Sequence, residues 1–283
     1  MITIQQAKQQ LKEVLASNYS QREASTISSV LLQHITGFTI SEQLVNQLKI
    51  FTNIQHTIFN HSLQKLKLQT PIQHIIGYCW FDDEQYIVNK DVLVPRPETE
   101  ELLQWIKQEK IEANTIIDIG TGSGILALSL KKHFANSKVH AVDVSNRALF
   151  IAKQNAVAKH RFINFHEIDF LDKTKWDALP KCNLLVSNPP YIMQQEESLM
   201  HQNVLLHEPH TALFVPNNNA LVFYEAIATF ANEKLEVGGY IFVEINEALG
   251  NQTAELFNSF GFNTILKKDL QTKDRMIKAW KAV

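Results

Sequence analysis

The chain has 283 residues, of which 45% are hydrophobic and 20% are charged, and 27 lysines and arginines against 29 aspartates and glutamates give a formal net charge of −2. This composition excludes a disordered, collagen-like or disulfide-stapled chain, and it lacks the basic excess typical of a dedicated nucleic-acid-binding protein. Two isolated cysteines, a polar N-terminal segment and no apolar run of about 18 residues predict a reduced, cytoplasmic protein without a signal peptide or membrane span.

Residues 1–70 are predicted to form a small helical domain. Apolar residues recur three and four positions apart, as they do on the buried face of a helix. Gly37 is placed to end one of these segments as a C-cap, and Thr70-Pro71 breaks the pattern. The predicted helices cover residues 4–15, 22–35, 41–49 and 53–68.

Residues 71–97 are predicted to form a β-hairpin linker. Three short runs, at residues 78–81, 86–88 and 92–94, are rich in the aromatic and β-branched residues that strands favour. Pro95 and Pro97 end the pattern. A helix to about residue 110 follows, and glutamates in its first turn favour the positive end of the helix dipole.

Residues 98–283 are predicted to form an α/β domain. Strands alternate with helices of about 10 to 15 residues, which is typical of βαβ units and a mainly parallel sheet with helices on both faces. The predicted strands cover residues 115–119, 139–142, 163–168, 184–187, 240–245, 264–268 and 276–280, and the predicted helices cover residues 124–134, 146–159, 220–235 and 252–260.

A glycine-rich loop follows the first strand of this domain. Its residues are Gly120, Thr121, Gly122, Ser123 and Gly124, and a helix begins directly after them. Glycines permit a tight turn, and the free N–H groups at the start of a helix favour an anion. The G-x-G-x-G spacing differs from the dinucleotide fingerprint G-x-G-x-x-G, and the P-loop lysine is missing.

Two further strand ends supply acidic residues. Asp143 lies about twenty residues beyond the loop, where a carboxylate can accept both ribose hydroxyls; capping the next helix is its alternative role, for which Ser145 is better placed. Asp169 and Phe170 follow the third strand, where they can contact the amino group and the ring of an adenine. Their alternative is an ordinary loop acid and a core aromatic residue.

The fourth strand ends in Asn188-Pro189-Pro190-Tyr191. The two prolines stiffen the backbone and lack N–H groups, so nearby carbonyls stay available as acceptors. Asn188 Oδ1 and the Pro189 carbonyl can accept both N–H groups of a planar nitrogen, which orients its lone pair and stabilises a growing positive charge. Tyr191 offers an aromatic face. This chemistry needs no catalytic histidine, and we expect no metal.

Asp118-x-Gly-x-Gly-x-Gly resembles motif I of the class I S-adenosylmethionine-dependent methyltransferases. Beyond it, the chain from about residue 70 onward resembles the peptide chain release factor glutamine N5-methyltransferases. The segments that carry this likeness are Pro71–Gly77, Phe81, the Pro-Arg-Pro-Glu-Thr-Glu block within Val92–Glu100, Asp118–Gly124, Ala141–Asp143, Val186–Ile192, Glu208-Pro209, Ala212-Leu213 and Asp274-Arg275.

The resemblance implies a class I, Rossmann-like methyltransferase domain over residues 98–283, a linking hairpin over 71–97 and a substrate-recognition domain over 1–70. It implies that residues 120–124, Asp143, Phe170 and Asn188 bind S-adenosylmethionine. Asn188, Pro189, Pro190 and Tyr191 are expected to bind the glutamine of the Gly-Gly-Gln motif in class I release factors, without a nucleic-acid or membrane partner.

Three alternatives stay open at this stage. A ribosomal-protein glutamine N5-methyltransferase has nearly the same core. An adenine N6-methyltransferase shares Asn-Pro-Pro-Tyr, although the net charge argues against it. A binding module without activity on the same fold is disfavoured by the intact Asp143 and Asn188. Two departures from the family pattern are Asn183, where an aspartate is common, and Glu244-Ile245-Asn246, which replaces a frequent Glu-x-Gly.

Overall fold

The computed structural model describes residues 2–281, which form two compact units. One unit runs through Tyr78 and also includes His201–His207, and the other contains Cys79–Met200 and the chain from Glu208 onward. The three-part division at residues 70 and 97 stays a prediction.

The longer helices of the first unit begin with the same capping device. A serine or threonine side chain accepts from the backbone three residues on, and a glutamine or glutamate there accepts from the cap's own N–H, so two exposed donors are satisfied. This capping box occurs at Thr3, Ser20, Thr39 and Thr52. The helices are α1 (Ile4–Leu15), α2 (Gln21–Thr36), α3 (Ile40–Val45), α4 (Asn53–Lys67) and the short α5 (Ile72–Ile76).

Helices α1, α2 and α4 surround one apolar core, which contains Leu11, Leu31 and Phe59 with no exposed surface. Gly37 ends α2 at φ 73°, as predicted. The helix expected over 41–49 is shorter than predicted, because the Asn46 side chain bonds to the Glu42 carbonyl at 2.8 Å and competes with the helix backbone. Helix α5 was not predicted.

The hairpin consists of β1 (Tyr78–Phe81) and β2 (Glu84–Ile87). Its two-residue turn places Asp82 and Asp83 at φ 50° and 61°, the left-handed conformation that matches strand twist in tight hairpins. The third predicted strand, 92–94, is wrong. Asn89 closes a turn there by accepting the Asp91 N–H at 2.9 Å, and Val92 is apolar because it is buried in the core rather than paired in a sheet.

The second unit contains a seven-stranded sheet in the order β10-β11-β9-β6-β3-β4-β5. The five strands from β9 to β5 are parallel, and β11 is antiparallel to both of its neighbours. The predicted α/β fold with a mainly parallel sheet is therefore confirmed. The strands of this sheet are β3 (Thr115–Ile119), β4 (Lys138–Asp143), β5 (Asn164–Glu167), β6 (Cys182–Ser187), β9 (Leu235–Glu244), β10 (Asn263–Lys268) and β11 (Asp274–Trp280). Two further strands, β7 (Ile192–Met193) and β8 (Phe214–Val215), pair with each other in a separate sheet.

Helices cover both faces of this sheet and bury two apolar clusters, one on each face. Helices α6, α7 and α8 contribute to the first cluster, and α10 and α11 contribute to the second. Within residues 2–281, none of the helices combines the length and hydropathy needed to cross a bilayer. These helices are α6 (Pro97–Gln108), α7 (Ile125–His133), α8 (Asn146–Ala158), α10 (Val222–Lys234) and α11 (Gly250–Ser259); α9 (Gln202–His207) belongs to the first unit.

The strand register aligns the ends of four neighbouring strands. Ile119 pairs with Val142 on one side and with Ser187 on the other, and Ser187 pairs with Val243. Because the strands are parallel, the residues that follow these four positions meet at the carboxyl edge, where ligands bind in open α/β sheets. Those residues are Gly120, Asp143, Asn188 and Glu244.

Candidate active site

A cavity opens at this carboxyl edge. Most of the predicted site residues line it, namely Gly120, Gly122, Asp143, Asp169, Phe170, Asn188, Pro189 and Pro190. The others, Thr121, Ser123, Gly124 and Tyr191, are not among its lining residues. Apolar side chains including Ile119, Val142 and Ile168 complete the wall beside Asp143.

The glycine loop has a backbone that other residues rarely adopt. Gly120, Gly122 and Gly124 have φ values of 70°, 54° and 78°. A Cβ at Gly122 would meet no described atom within 4 Å, so a ligand can approach the backbone there. A Cβ at Gly124 would lie 2.9 Å from Cβ of Ala152, so this glycine permits α7 and α8 to pack closely.

The Asp118 side chain links the glycine loop to the start of α7. Its Oδ2 accepts the Thr121 hydroxyl at 2.6 Å and the Ala127 N–H at 3.1 Å, and the residue is buried. Burial raises the pKa of Asp118 to about 7. The Thr121 side chain is thus engaged inside the loop, and the Ser123 carbonyl accepts from the Asn155 side chain at 2.9 Å.

The Asp143 carboxylate lies between the glycine loop and α8. It accepts the Gly122 N–H at 2.8 Å through Oδ2 and the Ser145 N–H at 2.8 Å through Oδ1. Burial raises the pKa of Asp143, and the backbone donors oppose that rise. Ser145 caps α8 by accepting from Ala148, as predicted, which leaves the Asp143 carboxylate to the cavity.

Asp169 and Phe170 form part of another wall. The Asp169 carboxylate accepts the Leu171 N–H at 3.0 Å in a tight local turn. Phe170 is buried, with its ring centroid 5.4 Å from Trp176 and 5.3 Å from Phe230. This aromatic cluster holds the Phe170 side chain in place at the edge of the cavity.

Polar side chains behind the Asn-Pro-Pro-Tyr loop form a continuous network. Asn188 Nδ2 donates to Thr99 Oγ1 at 3.0 Å, and the Thr99 hydroxyl donates to Glu244 Oε2 at 2.6 Å. The Tyr191 hydroxyl donates to Glu244 Oε1 at 3.0 Å, and the Tyr224 hydroxyl donates to the Glu244 carbonyl at 3.0 Å. Glu244 is 1% exposed, and burial raises its pKa to about 6 despite these donors.

Sequence reasoning did not identify Thr99 or Glu244 as site residues. Glu244 is the last residue of its strand, as Asp143 is of its own, and Asn188 directly follows a third strand; this position at the strand ends was the available signal. Thr99 lies in the Pro-Arg-Pro-Glu-Thr-Glu block, where the first turn of α6 buries it against the network.

Asn246 supports the same loop. Its Nδ2 donates to the Tyr191 carbonyl at 3.2 Å and lies 3.4 Å from Glu196 Oε1, which also accepts the Met193 N–H at 2.8 Å. Where the family frequently has glycine, this chain therefore has a side chain that ties the end of the Asn-Pro-Pro-Tyr loop to the segment after it.

Arg96 anchors another wall of the cavity. Its Nη2 donates to both carboxylate oxygens of Glu208, at 2.9 and 2.8 Å, and the Glu208 side chain is almost fully buried. Burial raises the pKa of Glu208, and the Arg96 charge opposes that rise. Because Pro209 and Thr211 line the cavity, this ion pair holds their segment in position.

In the described part of the chain, no group of three or more histidine, cysteine, aspartate and glutamate side chains is arranged to hold an ion. Both cysteines are buried as free thiols, and burial raises the pKa of each to about 12.

The chain is similar to known proteins along most of its length. Residues 97–222 match the family described as "Methyltransferase small domain", and residues 4–77 match "PrmC N-terminal domain". A release factor glutamine methyltransferase of Flavobacterium psychrophilum is 39% identical over 97% of this chain and 98% of its own. Another from Bacteroides thetaiotaomicron is 33% identical over 95% and 97%.

Solved structures share the fold at low sequence identity. A methyltransferase from Pyrococcus furiosus has a TM-score of 0.51 and 17% identity, covering 70% of this chain and 89% of its own. A ribosomal protein L11 methylase from Lactobacillus delbrueckii has a TM-score of 0.50 and 18% identity, covering 73% and 91%.

Proposed function

The chain belongs to the release factor glutamine methyltransferases, and on that premise we propose that its sheet-edge cavity binds the reacting glutamine and S-adenosylmethionine together. The reaction transfers a methyl group to N5 of the glutamine in the Gly-Gly-Gln motif of class I release factors. The observation that carries the proposal is that the glycine loop, Asp143 and Asn188-Pro189-Pro190 line one cavity.

The residues present fit the methyl donor. The open space at Gly122 lets the loop's N–H groups approach a carboxylate, and the Asp143 carboxylate can accept from ribose hydroxyls. Apolar Val142 and Ile168 flank Asp143. Asp169 and Phe170 line the same cavity, which supports their proposed contacts with an adenine edge and ring. When bound, the donor supplies an electrophilic methyl group on a sulfonium.

Asn188 and Pro189 act on the glutamine. An amide nitrogen is a weak nucleophile because its lone pair is delocalised into the carbonyl. The Asn188 Oδ1 and the Pro189 carbonyl accept its two N–H groups, which aims the lone pair and stabilises the positive charge that develops on nitrogen. The proton is acidic after the transfer and leaves to water, so no strong base is required. Pro190, which lines the cavity, borders the glutamine side chain, whereas Tyr191 lies behind it with its hydroxyl bonded to Glu244.

The helical domain over residues 1–70 supplies substrate recognition. Large apolar side chains are well exposed on it, including Leu44 at 60%, Val45 at 84%, Leu48 at 72% and Ile54 at 74%. Large apolar side chains that are this exposed can become buried when a protein partner binds, which supports the proposal. As part of the same proposal, the enzyme works in the cytoplasm and needs neither a metal, a membrane nor direct nucleic-acid binding.

Mass spectrometry tests the activity. The protein is incubated with isotopically labelled donor and purified release factor, and the modified residue is mapped. Label on the Gly-Gly-Gln glutamine supports the proposal, and a release factor with that glutamine changed to asparagine is the control. Label confined to a ribosomal protein or to adenine in DNA, offered in parallel, would select one of the rival substrates. Donor binding without transfer to any of them would indicate a binding module.

A further inference from the structure

The Glu244 carboxylate receives a hydroxyl on each of its two oxygens, from Thr99 at 2.6 Å and from Tyr191 at 3.0 Å. The two donors come from distant parts of the chain, one from the first turn of α6 and the other from the loop after β6. Through them, one buried carboxylate reaches both polar side chains of the Asn-Pro-Pro-Tyr motif.

The direction of these hydrogen bonds follows from donor chemistry. An ionised carboxylate only accepts, so Thr99 must give its single hydroxyl hydrogen to Glu244. The Thr99 oxygen then has only lone pairs to offer, so the Asn188 amide can meet it only through Nδ2, as it does at 3.0 Å. The opposite end of the planar amide, Oδ1, is thereby turned away from Thr99.

We propose that Glu244 is a positioning residue which, acting through Thr99, fixes the orientation of the Asn188 amide so that Oδ1 faces the substrate nitrogen. This rests on the proposed function, in which Asn188 Oδ1 accepts from the glutamine N–H. Without the relay, a free Thr99 hydroxyl can donate to Oδ1, and the amide turns Nδ2 toward a substrate that has only N–H groups to offer there.

The protonation state of Glu244 decides the direction of the relay. A protonated Glu244 donates to Thr99, whose own hydrogen then becomes free to reverse the Asn188 amide. Because burial raises the pKa of Glu244 to about 6, the relay operates above that pH and fails below it. Thr99 and Tyr191 bond to this carboxyl, the Arg275 charge lowers its pKa and the Glu98 charge raises it. The Tyr224 hydroxyl bonds to the Glu244 backbone carbonyl instead.

The test compares two substitutions at Thr99 in the full-length protein. Thr99→Val keeps the shape and removes the hydroxyl, whereas Thr99→Ser keeps the hydroxyl and loses a methyl group. Thr253→Val is the matched control, because Thr253 is also a buried helical threonine but its hydroxyl donates only within its own helix, to the Leu249 carbonyl at 2.8 Å.

We expect Thr99→Val to lower kcat on the release factor about 10- to 100-fold, with a smaller change in KM and a donor Kd within about twofold of wild type by calorimetry. Thr99→Ser should restore kcat to within about threefold of wild type. In wild type and Thr99→Ser, kcat should fall as the pH drops through about 6, and in Thr99→Val this limb should be absent.

Three results would overturn the relay: wild-type kcat in Thr99→Val, no rescue by Thr99→Ser, or an equal loss in Thr253→Val. If thermal unfolding shows that Thr99→Val is not folded, Glu244→Gln takes its place, because a glutamine amide cannot accept from both hydroxyls. Wild-type kcat in Glu244→Gln together with an unchanged acid limb would then reject the proposal. Failure of the wild type to methylate the release factor rejects the proposed function instead.

Discussion

The backbone N–H of Gly122 donates to the Asp143 carboxylate at 2.8 Å, which joins the glycine loop to the end of the next strand. The same carboxylate also accepts from Ser145 at the start of α8. These two backbone donors fix the orientation of the Asp143 carboxylate, so little side-chain entropy is lost when it binds a diol.

Replacing Asp143 by alanine should weaken donor binding by about 1.5–3 kcal/mol, because charge-assisted hydrogen bonds to the ribose are lost. Calorimetry with the donor measures this difference. Asp172→Ala is the control, since Asp172 is not among the residues that line the cavity and its carboxylate caps only a local turn. An unchanged Kd in a folded Asp143→Ala protein would move the ribose site elsewhere.

Asn188→Ala should lower turnover by about 10²–10³, the cost of losing one preorganised polar partner of the reacting group. Donor affinity should fall far less, because the glycine loop and Asp143 remain. Asn188→Asp should be no more active than Asn188→Ala at neutral pH. One of its two carboxylate oxygens would face the Thr99 oxygen, whose hydrogen is already given to Glu244, so neither atom could donate to the other. Single-turnover rates on a release factor measure both variants, and a wild-type rate in the alanine variant would rule out the mechanism.

Breaking the Arg96–Glu208 ion pair should destabilise the fold. Arg96→Met leaves the buried Glu208 carboxylate without its counter-charge, at a cost of about 2–3 kcal/mol in the free energy of unfolding in urea. Adding Glu208→Gln to that variant should recover much of the loss.

Lys273→Met is the control for this pair, because Lys273 lies 2.8 Å from Glu247 but both side chains are nearly half exposed. A surface pair of this kind contributes at most about 1 kcal/mol. Equal losses in Arg96→Met and Lys273→Met would contradict a special role for the buried pair.

Stability should depend on the titration of Asp118. Its pKa is raised to about 7 from an ordinary value of 3.8, so between these limits the folded protein holds a proton that the unfolded chain has released. The contribution of Asp118 to the free energy of unfolding is therefore complete below about pH 4. It is lost as the pH rises to about 7, at no more than about 1.4 kcal/mol per pH unit.

Asp118→Asn removes this titration while keeping an oxygen for the Thr121 hydroxyl and the Ala127 N–H. The free energy of unfolding of the wild type should fall relative to that of the variant between pH 4 and 7, and the difference should stay constant above. Parallel pH profiles over that range would show that the buried carboxyl does not titrate there.

A substitution among the exposed apolar side chains of the helical domain should weaken binding of the protein substrate and leave donor binding unchanged. Ile54→Glu should raise KM for the release factor about five- to thirty-fold, equivalent to about 1–2 kcal/mol, and leave the donor Kd unchanged. Val237→Glu, at a comparably exposed apolar residue in the second unit, is the control. Steady-state kinetics with both variants measures the effect, and a normal KM for Ile54→Glu would place recognition elsewhere.

Much of the fold, and the carboxyl edge of the sheet as the place where ligands bind, could be predicted from contiguous motifs. Gly120, Asp143 and Asn188 each follow a recognisable parallel strand, and parallel strands bring such ends together whatever lies between them. The 92–94 strand was wrong because an apolar β-branched run is also what a buried turn requires, and periodicity does not distinguish pairing from burial.

The sequence by itself determined the alternation of strands and helices, the family, and the motifs that line the cavity, since each depends on residues close together in the chain. Only the tertiary structure decided that Thr99 meets Glu244, 145 residues away, and that Arg96 meets Glu208. Such pairs leave no local pattern, because their geometry arises from how distant segments of the chain pack against one another.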